Sequence, residues 1–156
     1  MQQHNKFMRM AIELANENIM NGGGPFGALV VRDNQIVGRG GNQVTNFNDP
    51  TAHAEILAIR DASKNLGNYN LSDCVLYTTC EPCPMCLGAI YWARIPHVYY
   101  GNDRKDAADI GFDDEFIYRE ITLPINQRSI LMQPLLSDEA LETFKQWSVT
   151  PHKEEY

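Results

Sequence analysis

An α/β fold is predicted by three features of the chain: an amphipathic helical stretch at the N-terminus, an apolar hairpin after it, and a strand–helix–strand order built around a cysteine-rich turn. Over 5–20, Phe7/Met8, Ala11/Ile12, Leu14/Ala15 and Ile19 recur at helical spacing, with Lys6, Arg9, Glu13 and Glu17 opposite. Asn21-Gly22-Gly23-Gly24-Pro25 stops that helix. Residues 26–31 form a mostly apolar strand, Arg32-Asp33-Asn34-Gln35 is turn chemistry, and 36–38 begins the returning strand of a hairpin. A polar loop over 42–50 leads to a helix over 52–66, with Ile56, Ile59, Ala62 and Leu66 on one stripe and Gly67 as its C-terminal cap. The segments 74–79, 84–93 and 97–100 read as strand, helix and strand. That order is a βαβ unit, whose strands are parallel and joined by a right-handed crossover. Beyond Gly101 the pattern predicts short helices near 104–109 and 114–120, a strand at 130–133, a last helix over 138–147 and a polar tail.

Composition narrows the function. A chain of 156 residues with 44% apolar content is expected to form one domain, 1–156, with a core that needs no disulfide staples. The net charge of −7 argues against a broad phosphate-binding surface, so a nucleic-acid partner is not expected. No run reaches the ~18 apolar residues that span a bilayer. The N-terminus Met1-Gln2-Gln3-His4-Asn5-Lys6 lacks an apolar signal core, which points to a cytoplasmic protein without a membrane partner. Of the four cysteines, three fall within seven residues, a clustering that suits metal or redox chemistry better than a secreted disulfide framework.

That cluster is Thr78-Thr79-Cys80-Glu81-Pro82-Cys83-Pro84-Met85-Cys86-Leu87-Gly88-Ala89-Ile90. Pro84 suits a first helical position, which puts Cys83 at the N-cap and Cys86 in the first turn. Both sulfurs then face the positive end of the helix dipole, which favours thiolates. Thirty positions before Cys83, Asp49-Pro50-Thr51-Ala52-His53-Ala54-Glu55 supplies an imidazole and a nearby carboxylate. Two thiolates and one imidazole leave a tetrahedral zinc with one open position, the mark of a catalytic site. His53 and Glu55 share a site only where a helix begins, since residues two apart within a helix point about 200° apart.

Other readings compete. Gly22-Gly23-Gly24-Pro25-Phe26-Gly27 formally fits a dinucleotide fingerprint, but it follows a helix and opens a strand, the reverse of what that fingerprint needs. A ferredoxin-type run needs a further cysteine where Ile90 stands. Cys83-Pro84-Met85-Cys86 also fits a redox pair, which leaves His53 and Glu55 unexplained. A structural zinc with Cys80 as fourth ligand is compatible with the spacing.

H-x-E followed by P-C-x-x-C is the pattern of zinc-dependent base deaminases. With it, the chain resembles the cytidine deaminase-like superfamily from Pro25-Phe26-Gly27-Ala28 to Asp109 and beyond. The Asn42 loop, Glu81-Pro82-Cys83 and Tyr91-Trp92-Ala93-Arg94 are similar to the branch of guanine deaminases and tRNA adenosine deaminases. Gly111-Phe112-Asp113-Asp114 and Lys153-Glu154-Glu155-Tyr156 resemble the bacterial-type guanine deaminases. The resemblance implies a three-layer α/β/α fold with a five-stranded mixed sheet and helices on both faces. It implies a homodimer in which the C-terminal segment, about 135–156, is exchanged and closes the partner's pocket. It further implies one zinc per subunit on His53, Cys83 and Cys86, with Cys80 outside the ligand set because the tRNA enzymes carry an aliphatic residue there. Glu55 is the implied proton carrier and Asp114 its assistant. Phe26, Asn42, Ala54, Trp92 and Tyr156 are the implied contacts to a small purine base. The activity expected from it is hydrolytic deamination of guanine, with a tRNA adenosine deaminase as the sibling alternative.

Overall fold

A computed structural model describes residues 2–156. They form two compact units, the first running to Glu115 and the second from Phe116 to Tyr156. The first opens with α1 (Gln2–Met20) and the hairpin β1 (Gly27–Arg32) and β2 (Gln35–Gly41). Asp33 and Asn34 both take left-handed backbone angles, φ 48° and 65°. That two-residue turn matches the right-handed twist of the strands it joins. A single helical turn α2 (Val44–Phe47) lies in the polar loop, and α3 (Ala54–Leu66) follows, ended by Gly67 at φ 61°. Next come β3 (Val75–Cys80), α4 (Pro84–Trp92), β4 (His97–Asn102) and α5 (Arg104–Asp109).

The sheet has the order β2-β1-β3-β4, with β3 and β4 parallel and the other pairs antiparallel. The parallel crossover expected from 74–100 is therefore present. Helix α1 covers one face, where Phe7 and Ala11 pack on Leu29, Val31 and Tyr77. Helices α3 and α4 cover the other, where Ala54, Ala58, Ala62 and Ile90 pack on Ala28, Val30 and Leu76. Because both faces of β1 are covered, its residues 27–31 are all buried, which is why they read as one apolar run without alternation.

Two expectations are corrected. The sheet has four strands rather than five, and residues 130–133 form no strand. Ile130 and Leu131 are exposed, the segment is short, and Pro134 follows without a backbone donor. Such a stretch has nothing to hold it extended without a ladder partner. On α1 the buried stripe is Phe7, Ala11, Ala15 and Asn18, while Ile12 and Ile19 face outward.

The second unit holds most of α6 (Glu115–Thr122), a 3-10 turn (Ile125–Gln127) and α7 (Ser137–Val149). Its bend is tied by Glu120, whose carboxylate accepts from the Ser129 N–H at 2.6 Å and hydroxyl at 2.7 Å, and by Arg128 Nε donating to the Leu123 carbonyl at 3.0 Å. No helix among the described residues is long and apolar enough to cross a membrane.

Helix α3 approaches β2 so closely that a Cβ at Gly40 would lie 2.6 Å from the Ala58 backbone nitrogen and would also meet the Ala54 carbonyl. Neither neighbour yields without moving backbone. Gly40→Ala is expected to destabilise the protein by about 1–3 kcal/mol, read as a lower urea midpoint with an unchanged m-value.

Candidate active site

The site is assembled where two helices begin. Asp49 turns the chain into α3, its Oδ1 accepting from the Thr51 N–H at 2.8 Å and hydroxyl at 2.7 Å. His53 follows in extended conformation at the N-cap of α3. Cys83, also extended, is the N-cap of α4, with Pro84 behind it. Cys86 lies in the first turn and is fully buried. The expected local geometry is thus realised for both motifs.

His53 Nδ1 lies 3.5 Å from Cys83 Sγ and 3.5 Å from Cys86 Sγ. The three ligand atoms all fall within 4.8 Å of one another. Zinc bonds of ~2.3 Å to sulfur and ~2.0–2.1 Å to nitrogen at a tetrahedral angle put S and N about 3.6 Å apart. The donor set and its spacing therefore fit a zinc ion. Cys80 stands outside the cluster, its thiol donating to the Asp103 carbonyl at 3.8 Å. Burial pushes its pKa up to about 11, so it remains a thiol. All four cysteines are free.

The charges agree with that division. A hydrogen bond from the Cys86 thiol, followed by one from His53, holds Cys83 well below the usual thiol range. Cys86 is pushed upward by the same bond, because the two sulfurs share one proton and only one ionises readily. The hydrogen bond to Cys83 raises His53. Glu55, in the first turn of α3, is 6% exposed and raised by burial. Its carboxyl group is within hydrogen-bond reach of Cys86. A buried acid beside three atoms that could hold a metal ion is a candidate proton carrier.

The surrounding residues fall into several groups. Ala54 is fully buried between His53 and Glu55. Asn42 is buried at the end of β2, its backbone N–H donating to the Phe26 carbonyl at 3.0 Å. Phe26 is half-buried and meets Phe112 edge-on at 4.9 Å between ring centres. Asp114 is raised first by burial and then by the charge of Cys83. It opens onto a cleft of about 490 Å³ shared with Glu81, Asp103, Arg104, Lys105 and Asp113. Trp92 stands at the far end of α4 from the thiols and is 68% exposed. Tyr156 ends the second unit.

Sequence reasoning missed two residues here. Glu81 accepts from Arg104 Nε at 3.2 Å and from the Arg104 backbone N–H at 3.3 Å, tying the thiol-bearing turn to the start of α5. Asn18 is the other, marked only as a polar residue on an apolar stripe.

Residues 1–102 match the family model described as the cytidine and deoxycytidylate deaminase zinc-binding region. The chain belongs to that family. It is 53% identical over 154 residues to a guanine deaminase of Bacillus subtilis (strain 168), covering 98% of this chain and 99% of the relative. The solved structure of guanine deaminase from Bacillus subtilis superposes with a TM-score of 0.95 at 52% identity, covering 98% of each chain. A tRNA-specific adenosine deaminase of Buchnera aphidicola subsp. Schizaphis graminum is 44% identical over 100 residues, covering 64% of this chain and 66% of the relative. In this family the cluster of His53, Cys83 and Cys86 is a candidate zinc centre.

Because burial raises Glu55, its ionisation opposes folding of the metal-free chain, and the penalty grows as pH rises above the ordinary carboxylate range. Glu55→Gln removes it. In chelator-treated protein this variant is expected to melt above the parent at neutral pH. The advantage should vanish at about pH 4, where both side chains are uncharged; calorimetry across that range measures it.

Proposed function

We propose that the chain catalyses hydrolytic deamination of guanine to xanthine and ammonia. The observation that carries the substrate is the extent of the match: the guanine deaminase relative aligns over 98% of the chain, while the tRNA-specific adenosine deaminase relative aligns over 64%. The reaction class rests on the imidazole, the two sulfurs and the buried carboxyl group gathered at two helix starts.

Zinc would be held by His53, Cys83 and Cys86, one ion per subunit, and would supply Lewis acidity that lowers the pKa of water toward ~7. Glu55 takes the proton from the attacking water and gives it to purine N3, which makes C2 electrophilic. The water oxygen bonds to C2; its remaining proton passes to the exocyclic amine, the bond from C2 to that amine breaks as C2=O forms, and ammonia leaves. Asp114 assists the proton transfers or holds ring N–H groups. Asn42 hydrogen-bonds the purine edge, Ala54 packs beside the base, and Phe26 borders the ring. The acidic balance of −7 favours a neutral base over a polyanion as substrate.

A homodimer with segment 135–156 exchanged is part of the same reading, with Tyr156 closing the partner's pocket and Trp92 as a bordering residue. The second unit supports it by exposing Leu135, Leu136, Phe144 and Trp147. Apolar surface of that kind calls for a partner.

A panel of guanine, adenine, cytosine, cytidine and a tRNA anticodon stem-loop, followed by ammonia release, tests the assignment; turnover of the RNA but not of guanine overturns it. Glu55→Ala is expected to keep fold and zinc while losing at least ~10²-fold in kcat, and Cys83→Ser to lose zinc on dialysis. Sedimentation of the parent chain should give twice the monomer mass. Tyr156→Ala should raise KM without loss of zinc.

A further inference from the structure

Asn18 is the single polar residue on the buried stripe of α1, and its side chain is almost saturated with hydrogen bonds. Its Nδ2 donates to the Gly24 carbonyl at 2.8 Å and to the Asn42 carbonyl at 2.8 Å. Its Oδ1 accepts from the Gln43 side-chain amide. Both Nδ2 hydrogens are thereby used. The chain makes room for this amide at two glycines: a Cβ at Gly23 would lie 2.7 Å from Asn18 Cγ, and one at Gly41 would lie 2.5 Å from Oδ1.

What these bonds hold is the rim of the purine pocket. Gly24, fixed through its carbonyl, also donates its N–H to the Asn42 carbonyl at 3.0 Å. Its Cα abuts the Asn42 side chain so closely that a Cβ there would meet Asn42 Oδ1 at 2.9 Å. Asn42 in turn donates to the Phe26 carbonyl. A helix needing only to pack would carry an apolar residue at position 18, since burying an amide is costly unless every bond is made. We propose that Asn18 is a positioning residue for substrate binding, which sets the orientation of the Asn42 side chain toward the purine. The proposal rests on the reading of Asn42 as a purine-edge contact.

The test is a double-variant cycle with guanine as substrate, with zinc content and Tm followed in parallel. Asn18→Ala is expected to raise KM roughly tenfold, with kcat within about threefold of the parent and zinc retained. In an Asn42→Ala background the same change should add almost nothing, because its route to the substrate is gone. Asn18→Asp keeps the size and the acceptor but lacks both N–H groups, and should reproduce the rise in KM. Independent, multiplicative effects in the double variant overturn the proposal, as does a fall in kcat at unchanged KM. Loss of the fold in both Asn18 variants overturns it too, by assigning the residue a purely structural role. If Asn42→Ala raises KM and Asn18→Ala does not, only the role of Asn18 falls. If Asn42→Ala leaves KM unchanged, or the parent does not turn over guanine, the reading beneath it falls as well.

Discussion

The meeting of two helix N-termini is the constraint on which the rest of the molecule depends. His53 caps α3 and Cys83 caps α4, and Cys86 adds a second sulfur one turn into α4. Each helix directs unpaired N–H groups and the positive end of its dipole at the same small volume. That field favours thiolate at Cys83, whereas burial outweighs it at Glu55. Had either helix begun one residue later, the imidazole and the sulfurs would project on different sides, and their 3.5 Å separations would be lost. The sheet, with α3 and α4 on one face, keeps those two starts in register.

Glu55 shows the cost of this arrangement. A carboxyl group with 6% exposure is one of the least favourable groups a core can hold, and the metal-free chain keeps it above its ordinary pKa. A cation held by the neighbouring imidazole and sulfurs would offset that penalty.

Around that centre, polar side chains hold loops that have little regular structure. Asn18 ties the turn after α1 to the end of β2, and Glu81 ties the cysteine turn to the start of α5. Neither acts by charge at a distance. The Glu81–Arg104 pair is partly exposed, where screening leaves a salt bridge little stabilising value; its contribution is to fix geometry next to the thiols. The second unit differs in character. Its links are local, and many of its apolar side chains lie at the surface.

Local order was legible in the sequence wherever a short-range rule governs it. Helical periodicity, Asp33-Asn34 turn chemistry, the Gly67 cap and Pro84 after an N-cap cysteine each depend on neighbouring residues alone, and so do the metal-ligand spacings within each motif. The glycine run 22–27 belongs to the same class, since its place after a helix and before a strand already excluded a dinucleotide site. The fate of 130–133 was not legible, because a strand exists only if another strand pairs with it. Nor was the face of α1 that turns inward, where Ile12 and Asn18 exchange the places their polarity suggests. Residues 49–55 and 80–86 supplied the candidate ligands, but their convergence was decided by the sheet that carries α3 and α4 side by side on one face, which brings side chains thirty positions apart close enough to share an ion. A hydrogen bond such as that from Asn18 to the Asn42 carbonyl spans 24 positions and leaves no periodic trace, so only the packed chain reveals it.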